Sequence, residues 1–325
     1  MIDKIDLKII SLLGNDGRAT YSQLAKVLGI KAITVARRVD SLLKNKVITI
    51  NAIPNPIRMG YRAPAIICMN VSSNQIDNLS NILKSNFNVN LIALTFNQFN
   101  LLAIAYFENW DSLRSFLSTN LADRQKFLQM KIFFIDEIKK RYHGYQESNL
   151  NSLKKEDIDL IDKKIISELS LDGRVTCSFL ANKLGISLSA ASKRVRHLLK
   201  KKAIKIQAII NPSRVVYQEN AFMLLRVDKS KINGIIRELH SVKEVIGIMT
   251  ITNDYDLFLS LEEKDLEAIH ELIYGKIMSL SGIYDMVTLV KSKIIKRDYG
   301  YTPINESILQ NHSENDDDLP SIEIK

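Results

Sequence analysis

The stretch IDLKIISLLGNDGRATYSQLAKVLGI, residues 5–30, returns as IDKKIISELSLDGRVTCSFLANKLGI at residues 161–186, an offset of 156. The same offset relates NAIPNP from Asn51 to QAIINP from Gln207, and Arg141, Gly144 and Tyr145 to Arg297, Gly300 and Tyr301. A repeat held in register over that distance predicts two complete copies of one module with no net insertion. The 325 residues are enough for several units, each with its own buried core.

Within a module the hydrophobic period changes partway along. Ile9, Leu12 and Leu13, then Leu24, Val27 and Leu28, then Val35, Val39, Leu42 and Leu43 recur at three- and four-residue spacing, which predicts three short helices. Asp16-Gly17-Arg18 breaks the first from the second, Thr20 with Gln23 forms a capping-box pattern, and Gly29 turns the chain into the third. Asp172, Gly173, Thr176 and Gly185 repeat that punctuation. A strand pair is expected around Val47–Pro54 and Ala203–Ile210, closed by Asn55-Pro56 and Asn211-Pro212. Beyond it, AIICMNV, a helix near Ile76–Leu83, NLIALTF, LLAIAYF, a helix near Trp110–Leu121 and FLQMKIFFIDEI read as βαββαβ. AFMLLRV, a helix near Ile232–Leu239, VIGIMTI, LFLSLE, a helix near Leu266–Met278 and MVTLVKSKII repeat the order. That order predicts an antiparallel sheet with both helices on one face and the other face against a partner sheet.

Composition narrows the function. There are 45 Lys+Arg against 36 Asp+Glu, a net +9, and residues 312–325 hold Glu314, Asp316, Asp317, Asp318 and Glu323 against Lys325. The end of the chain is thus locally acidic at −4, so the remainder carries +13, which favours a polyanionic partner. The two thiols, Cys68 and Cys177, exclude a disulfide scaffold and fit a reducing, cytoplasmic setting. No apolar run approaches the ~18 residues of a membrane span, and the opening MIDKIDLKII lacks the pattern of a secretory signal. There is no Gly-rich phosphate loop and no Cys/His spacing suited to zinc, and His143, His197, His240, His270 and His312 are scattered. Neither an enzyme nor a cofactor is expected.

Three helices with a glycine in the second turn and a basic run in the third form the layout of a helix-turn-helix reader of double-stranded DNA. In the second copy the third helix is SLSAASKRVRHLLKKK, from Ser187, which is placed to cap it. Its outward face offers Ser189, Ser192, Lys193, Arg196 and Lys200, hydroxyls and cations suited to phosphates and base edges. The first copy, KAITVARRVDSLLKNK, places Lys31, Ile33 and Asp40 where the second has Ser187, Ser189 and Arg196. Thr34, Arg37 and Arg38 remain as DNA contacts, and this half is expected to bind more weakly or to read a different sequence. Arg38, like Arg194, has the alternative task of bracing the helix against its own domain.

The opening Ile5-Asp6 and Ile161-Asp162, the DGR at Asp16 and at Asp172, LAKVLGI and LANKLGI, and RRV and KRV make each module resemble a whole subunit of the Lrp/AsnC family of prokaryotic transcription regulators. The resemblance implies an α+β chain: two copies of a winged helix-turn-helix domain followed by a βαββαβ ferredoxin-like (RAM/AsnC-type) domain. The expected domains are residues 1–50 and 51–146, then 147–206 and 207–302, with an acidic tail at 303–325. It also implies pairing through the sheets into a homo-oligomer, and sensing of an amino acid or other small effector near the turn between the second and third sheet strands. That turn holds Asn253, Asp254 and Asp256 in the second copy, against Asn97, Gln98 and Asn100 in the first. Asn replaces the usual Gly in both, as a residue that tolerates positive φ. An ordinary Asx-rich hairpin is the other reading of the same residues. Siroheme decarboxylases resemble the same architecture and give an alternative enzyme reading, and an assembly or sensor protein without DNA binding gives a third.

Overall fold

The computed structural model describes residues 2–122, 127–141, 156–211 and 218–297. The expected acidic tail, and with it His143 and His312, lies outside the described residues. The elements of the first half are α1 (Lys4–Asn15), α2 (Tyr21–Leu28), α3 (Ala32–Lys44), β1 (Ile48–Pro54), β2 (Ala63–Val71), α4 (Ile76–Ser85), β3 (Val89–Phe96), β4 (Leu101–Phe107), α5 (Trp110–Asn120) and β5 (Phe127–Lys140). The second half repeats the order with α6 (Leu160–Leu171), α7 (Cys177–Leu184), α8 (Leu188–Lys200), β6 (Ile204–Ile210), β7 (Gln218–Val227), α9 (Ile232–Ser241), β8 (Val245–Thr252), β9 (Leu257–Glu263), α10 (Leu266–His270) and β10 (Ile283–Arg297). The expected helix at Leu266–Met278 is α10 continued by a wider π-type turn, Glu271–Ile277, which keeps Leu272, Ile273 and Ile277 all buried.

Local chemistry sets the helix ends. Asp3 caps α1 and forms a reciprocal box with Asp6, Thr20 does the same for α2 with Gln23, and Gly29 ends α2 in the left-handed region at φ 68°. Ser187 caps α8 by accepting from the Ala190 N–H at 3.1 Å, whereas Lys31 gives α3 no side-chain cap. Val35, Val39 and Leu42 form the inward stripe of α3, and Ala191, Val195 and Leu198 that of α8.

The two helical triads are joined through their turns and strands. Strand β1 pairs antiparallel with β6, Ile48 opposite Ile210 and Pro54 opposite Ile204. The expected domain divides at 50/51 and 206/207 therefore fall inside strands that hold the halves together. Gly17 donates its N–H to the Ile206 carbonyl at 2.9 Å, and Gly173 donates to that of Ile50 at 2.7 Å. Side chains repeat the exchange. Arg18 donates to the carbonyls of Gly173 (2.8 Å) and Val175 (2.9 Å), and Arg174 to those of Gly17 (3.0 Å) and Ala19 (3.4 Å). The DGR motif, legible in the sequence as a helix break, is thus also the clasp between the halves.

The remaining strands close into a barrel of order β10-β3-β4-β2-β5-β8-β9-β7. Each half supplies four strands, with α4 and α5, or α9 and α10, packed on the outside. The expectation of two sheets meeting face to face is corrected in one respect: β5 also pairs with β8, and β10 with β3, so the sheet edges are joined as well. Strand pairing of the kind expected between chains is made between the halves of one chain. Two more reciprocal contacts seal the seams. Asn97 donates to the Thr288 carbonyl (3.0 Å) and Asn253 to that of Ile132 (2.6 Å). Lys140 satisfies the last carbonyls of α9, at His240 and Val242, and Lys296 those of α4, at Lys84 and Asn86.

Ile66, Cys68, Phe133, Phe222, Leu224 and Phe258 fill the interior. The Lys291 amine lies 4.1 Å from the centre of the Phe222 ring. Burial pushes the Lys291 amine well below the ordinary lysine range, with Glu262 opposing the shift. At this group the folded state therefore binds fewer protons than the unfolded chain between its lowered value and about 10, and its contribution to stability rises with pH through that window. Lys291→Met is expected to flatten that rise in denaturant midpoints measured from pH 7 to 10; an unchanged slope would contradict it.

Candidate nucleic-acid interface

The outward stripe of α8, at intervals of four and three residues, is Ser189, Lys193, Arg196 and Lys200, and every one of them is exposed. The matching stripe of α3 is Ile33, Arg37, Asp40 and Lys44, also exposed. Three cations therefore stand on the outward stripe of α8, while that of α3 has two cations and an acid. Ser192 and Thr34 are half-buried flank residues. The Ser187 hydroxyl is within 3.0 Å of that of Ser189, besides its capping bond. Arg196 folds back toward the Ser192 carbonyl at 3.3 Å, and His197 is exposed beside the stripe.

Arg38, expected among the DNA contacts, is not on that face. Its guanidinium donates to Asp3 at 2.7 Å and Asp6 at 2.8 Å, pinning α3 to α1, and Arg194 does the same with Asp159 (2.8 Å) and Asp162 (2.9 Å). Both arginines have the bracing role. The Asp6 backbone N–H and then Arg38 hold the Asp3 carboxyl below the ordinary range.

A contact absent from sequence reasoning further separates the two helices. The Tyr21 hydroxyl donates to Asp40 at 3.4 Å, and the Arg174 guanidinium lies over the Tyr21 ring at 5.2 Å. Cys177 and Arg196 occupy the corresponding positions of the second half, so this link exists on one side alone. Arg18, Thr20, Tyr21, Arg174 and Thr176 line an open cleft of about 490 Å³ between the two turns.

The expected effector turn has the predicted backbone: Asn97 and Asn253 adopt φ of 93° and 103°. Its carboxylates are engaged. Asp254 accepts from Lys131, which holds it below the ordinary carboxylate range, and Asp256 accepts the Val227 N–H at 2.9 Å. Asn100 makes the equivalent contact to Val71, so this position is a backbone clamp in both halves. Asn253 and Asp256 nonetheless border a cleft of about 420 Å³, with Glu137, Lys139, Lys229 and Asn233. Among the described residues there is no cluster of metal-ligating side chains, and no helix is long and apolar enough to cross a membrane.

Residues 2–43 match the profile of the AsnC-type helix-turn-helix domain, 158–205 that of a winged helix-turn-helix DNA-binding domain, and 220–301 that of the Lrp/AsnC ligand binding domain. The HTH-type transcriptional regulator FL11 of Pyrococcus horikoshii is 30% identical over 139 residues, which span 92% of that protein and 42% of this chain. The chain belongs to the Lrp/AsnC family. It is a DNA-binding transcription regulator of that type. A second relative, the HTH-type transcriptional regulator Ptr1 of Methanocaldococcus jannaschii, is 29% identical over 122 residues, 82% of its length and 37% of this chain. Among solved structures, the siroheme decarboxylase NirDL is similar at a TM-score of 0.67 and 17% identity, covering 93% of this chain and 95% of its own. That likeness shows the fold of this Lrp/AsnC chain across both halves.

Proposed function

We propose that this Lrp/AsnC regulator is a tandem duplication of the family's subunit, with winged helix-turn-helix domains at about 1–50 and 147–206 and ferredoxin-like domains at about 51–146 and 207–302. One chain then supplies what two subunits supply elsewhere, with two unlike reading helices and an asymmetric DNA site. The observation that carries this is the contrast between Ser189-Lys193-Arg196-Lys200 and Ile33-Arg37-Asp40-Lys44 on helices held in one frame by the DGR clasp. Helix α8, with Ser187 and Ser192 at its flank, is the phosphate anchor; α3 contributes Thr34 and Arg37. The cleft beside Asn253 and Asp256 is the place for a small charged effector such as an amino acid, which Lys229 and the mutually ion-paired Glu137 and Lys139 border.

If both helices engage one face of the duplex, their half-sites lie ~10 bp apart, or a multiple of that. Affinity is expected to fall with salt at a log–log slope of about −0.9 per phosphate neutralised. Replacing Lys193 and Arg196 by Ala should cost more affinity than replacing Thr34 and Arg37 by Ala. Equal losses would contradict the asymmetry. The shared fold with NirDL motivates a second assay: mixing the protein with an iron tetrapyrrole. The regulator reading predicts no bound Soret band, in line with a barrel interior occupied by Phe133, Phe222 and Phe258. A stoichiometric band would favour the enzyme reading.

A further inference from the structure

Ile33 heads the outward stripe of α3 with 75% of its surface exposed. The fold does not hold it there, because the buried stripe, Val35, Val39 and Leu42, faces the other way. Its counterpart on α8 is the hydroxyl residue Ser189. Residues at the start of a helix-turn-helix recognition helix meet base edges rather than phosphates. The apolar group that base edges offer in the major groove is the thymine C5-methyl. We propose that Ile33 contacts a thymine methyl and makes the first half-site specific for T·A at that position, where Ser189 leaves the second half-site to hydrogen-bonded readout.

The neighbouring residues fit this division. Arg37, one turn on, supplies a cation for phosphate or guanine. Asp40, engaged by the Tyr21 hydroxyl at 3.4 Å, sets a negative charge farther along the same stripe, so α3 gains little from phosphates and leans on base contacts. On α8 the equivalent Arg196 is exposed, held by its bond to the Ser192 carbonyl at 3.3 Å, and carries a positive charge toward the backbone of the DNA.

The inference rests on α3 and α8 being the reading helices. The test takes a site selected from a random duplex pool by the full chain and replaces each thymine singly by deoxyuridine, which removes the methyl alone. One thymine of the first half-site is expected to lose about fourfold in affinity on this change, the equivalent of burying one methyl-sized group. The Ile33→Ala protein should bind the unmodified site more weakly and be indifferent to the same replacement. Its melting temperature should match that of the wild type, since an exposed side chain away from structural features contributes little to stability. The proposal is overturned if wild type and Ile33→Ala respond equally to every deoxyuridine, or if no thymine of that half-site is sensitive; sequence-specific binding would survive either result. A chain that selects no sequence would overturn the reading of the helices together with the proposal.

Discussion

Replacing Lys193, Arg196 and Lys200 together by alanine is expected to lower affinity for DNA by about 10²-fold at 0.15 M salt, the counterion-release value for three phosphate contacts. The salt slope should become shallower by about 2.7. All three side chains are exposed on one stripe of α8, and none is part of an ion pair among the described residues, so stability should hardly change. The matched variant on α3, Arg37→Ala with Lys44→Ala, removes two cations beside an acid and should cost far less. Fluorescence anisotropy across a salt series measures both quantities. A loss of under threefold for the α8 variant would remove that helix as the anchor.

The largest effect on stability is expected from Gly17→Ala. A Cβ at Gly17 would stand 2.9 Å from the Gln207 Cα and N and from Ile50 Cγ2, so two backbones would have to part. At Gly173 it would stand 2.7 Å from Ile206 Cγ2 and 3.1 Å from the Ile50 carbonyl. Overpacking of this kind costs about 1–3 kcal/mol, and the upper end is expected where backbone is the obstacle. It also loosens the hydrogen bonds from Gly17 to Ile206 and from Arg18 to Gly173, which set one helical triad against the other. DNA affinity should fall with stability, although neither glycine is on a reading helix. Gly14→Ala in α1 is the control: its Cβ would meet nothing within 4 Å, so replacing a helical glycine should gain up to about 1 kcal/mol. Chemical denaturation measures both. A Gly17→Ala protein as stable as the wild type would contradict the clasp.

The repeat and the punctuation of its helices were legible because they are local: Thr20 with Gln23, Gly29, and apolar residues at three- and four-residue spacing act within a few residues of one another. Asn97 and Asn253 at positive φ were legible for the same reason. The clasp was not, because Arg18 and Gly173 are 155 residues apart and nothing in either DGR motif records its partner. Closure of the barrel was hidden similarly, since the pairing of β5 with β8 depends on register across the two halves. Arg38 shows the limit of reading a helix face by composition. On the sequence it can serve as a DNA contact or as a brace for its helix, and only the fold, which brings Asp3 and Asp6 beneath it, decides for the brace. The acids of the effector turn were visible as charges, but Lys131 and the Val227 N–H, which occupy them, were not.

The proposed tandem of two halves has a physical consequence for recognition. Two identical subunits present the same reading helix twice and so favour a palindromic site. Here the frame is nearly symmetric, through Gly17 and Gly173, Arg18 and Arg174, Asn97 and Asn253, and Lys140 and Lys296, while the reading stripes differ at Ile33/Ser189 and Asp40/Arg196. The reciprocal contacts between the halves keep the symmetry, the Lys131–Asp254 and Arg174–Tyr21 contacts break it, and the outward stripes differ most in charge.

The most direct test of that account is genome-wide occupancy of the tagged full-length protein in its own cells, with the bound fragments searched for a shared motif. The account predicts sharp peaks over a two-part motif whose halves are unequal, spaced by about one helical turn or a multiple of it. A palindromic motif, or no enriched sequence at all, would contradict it.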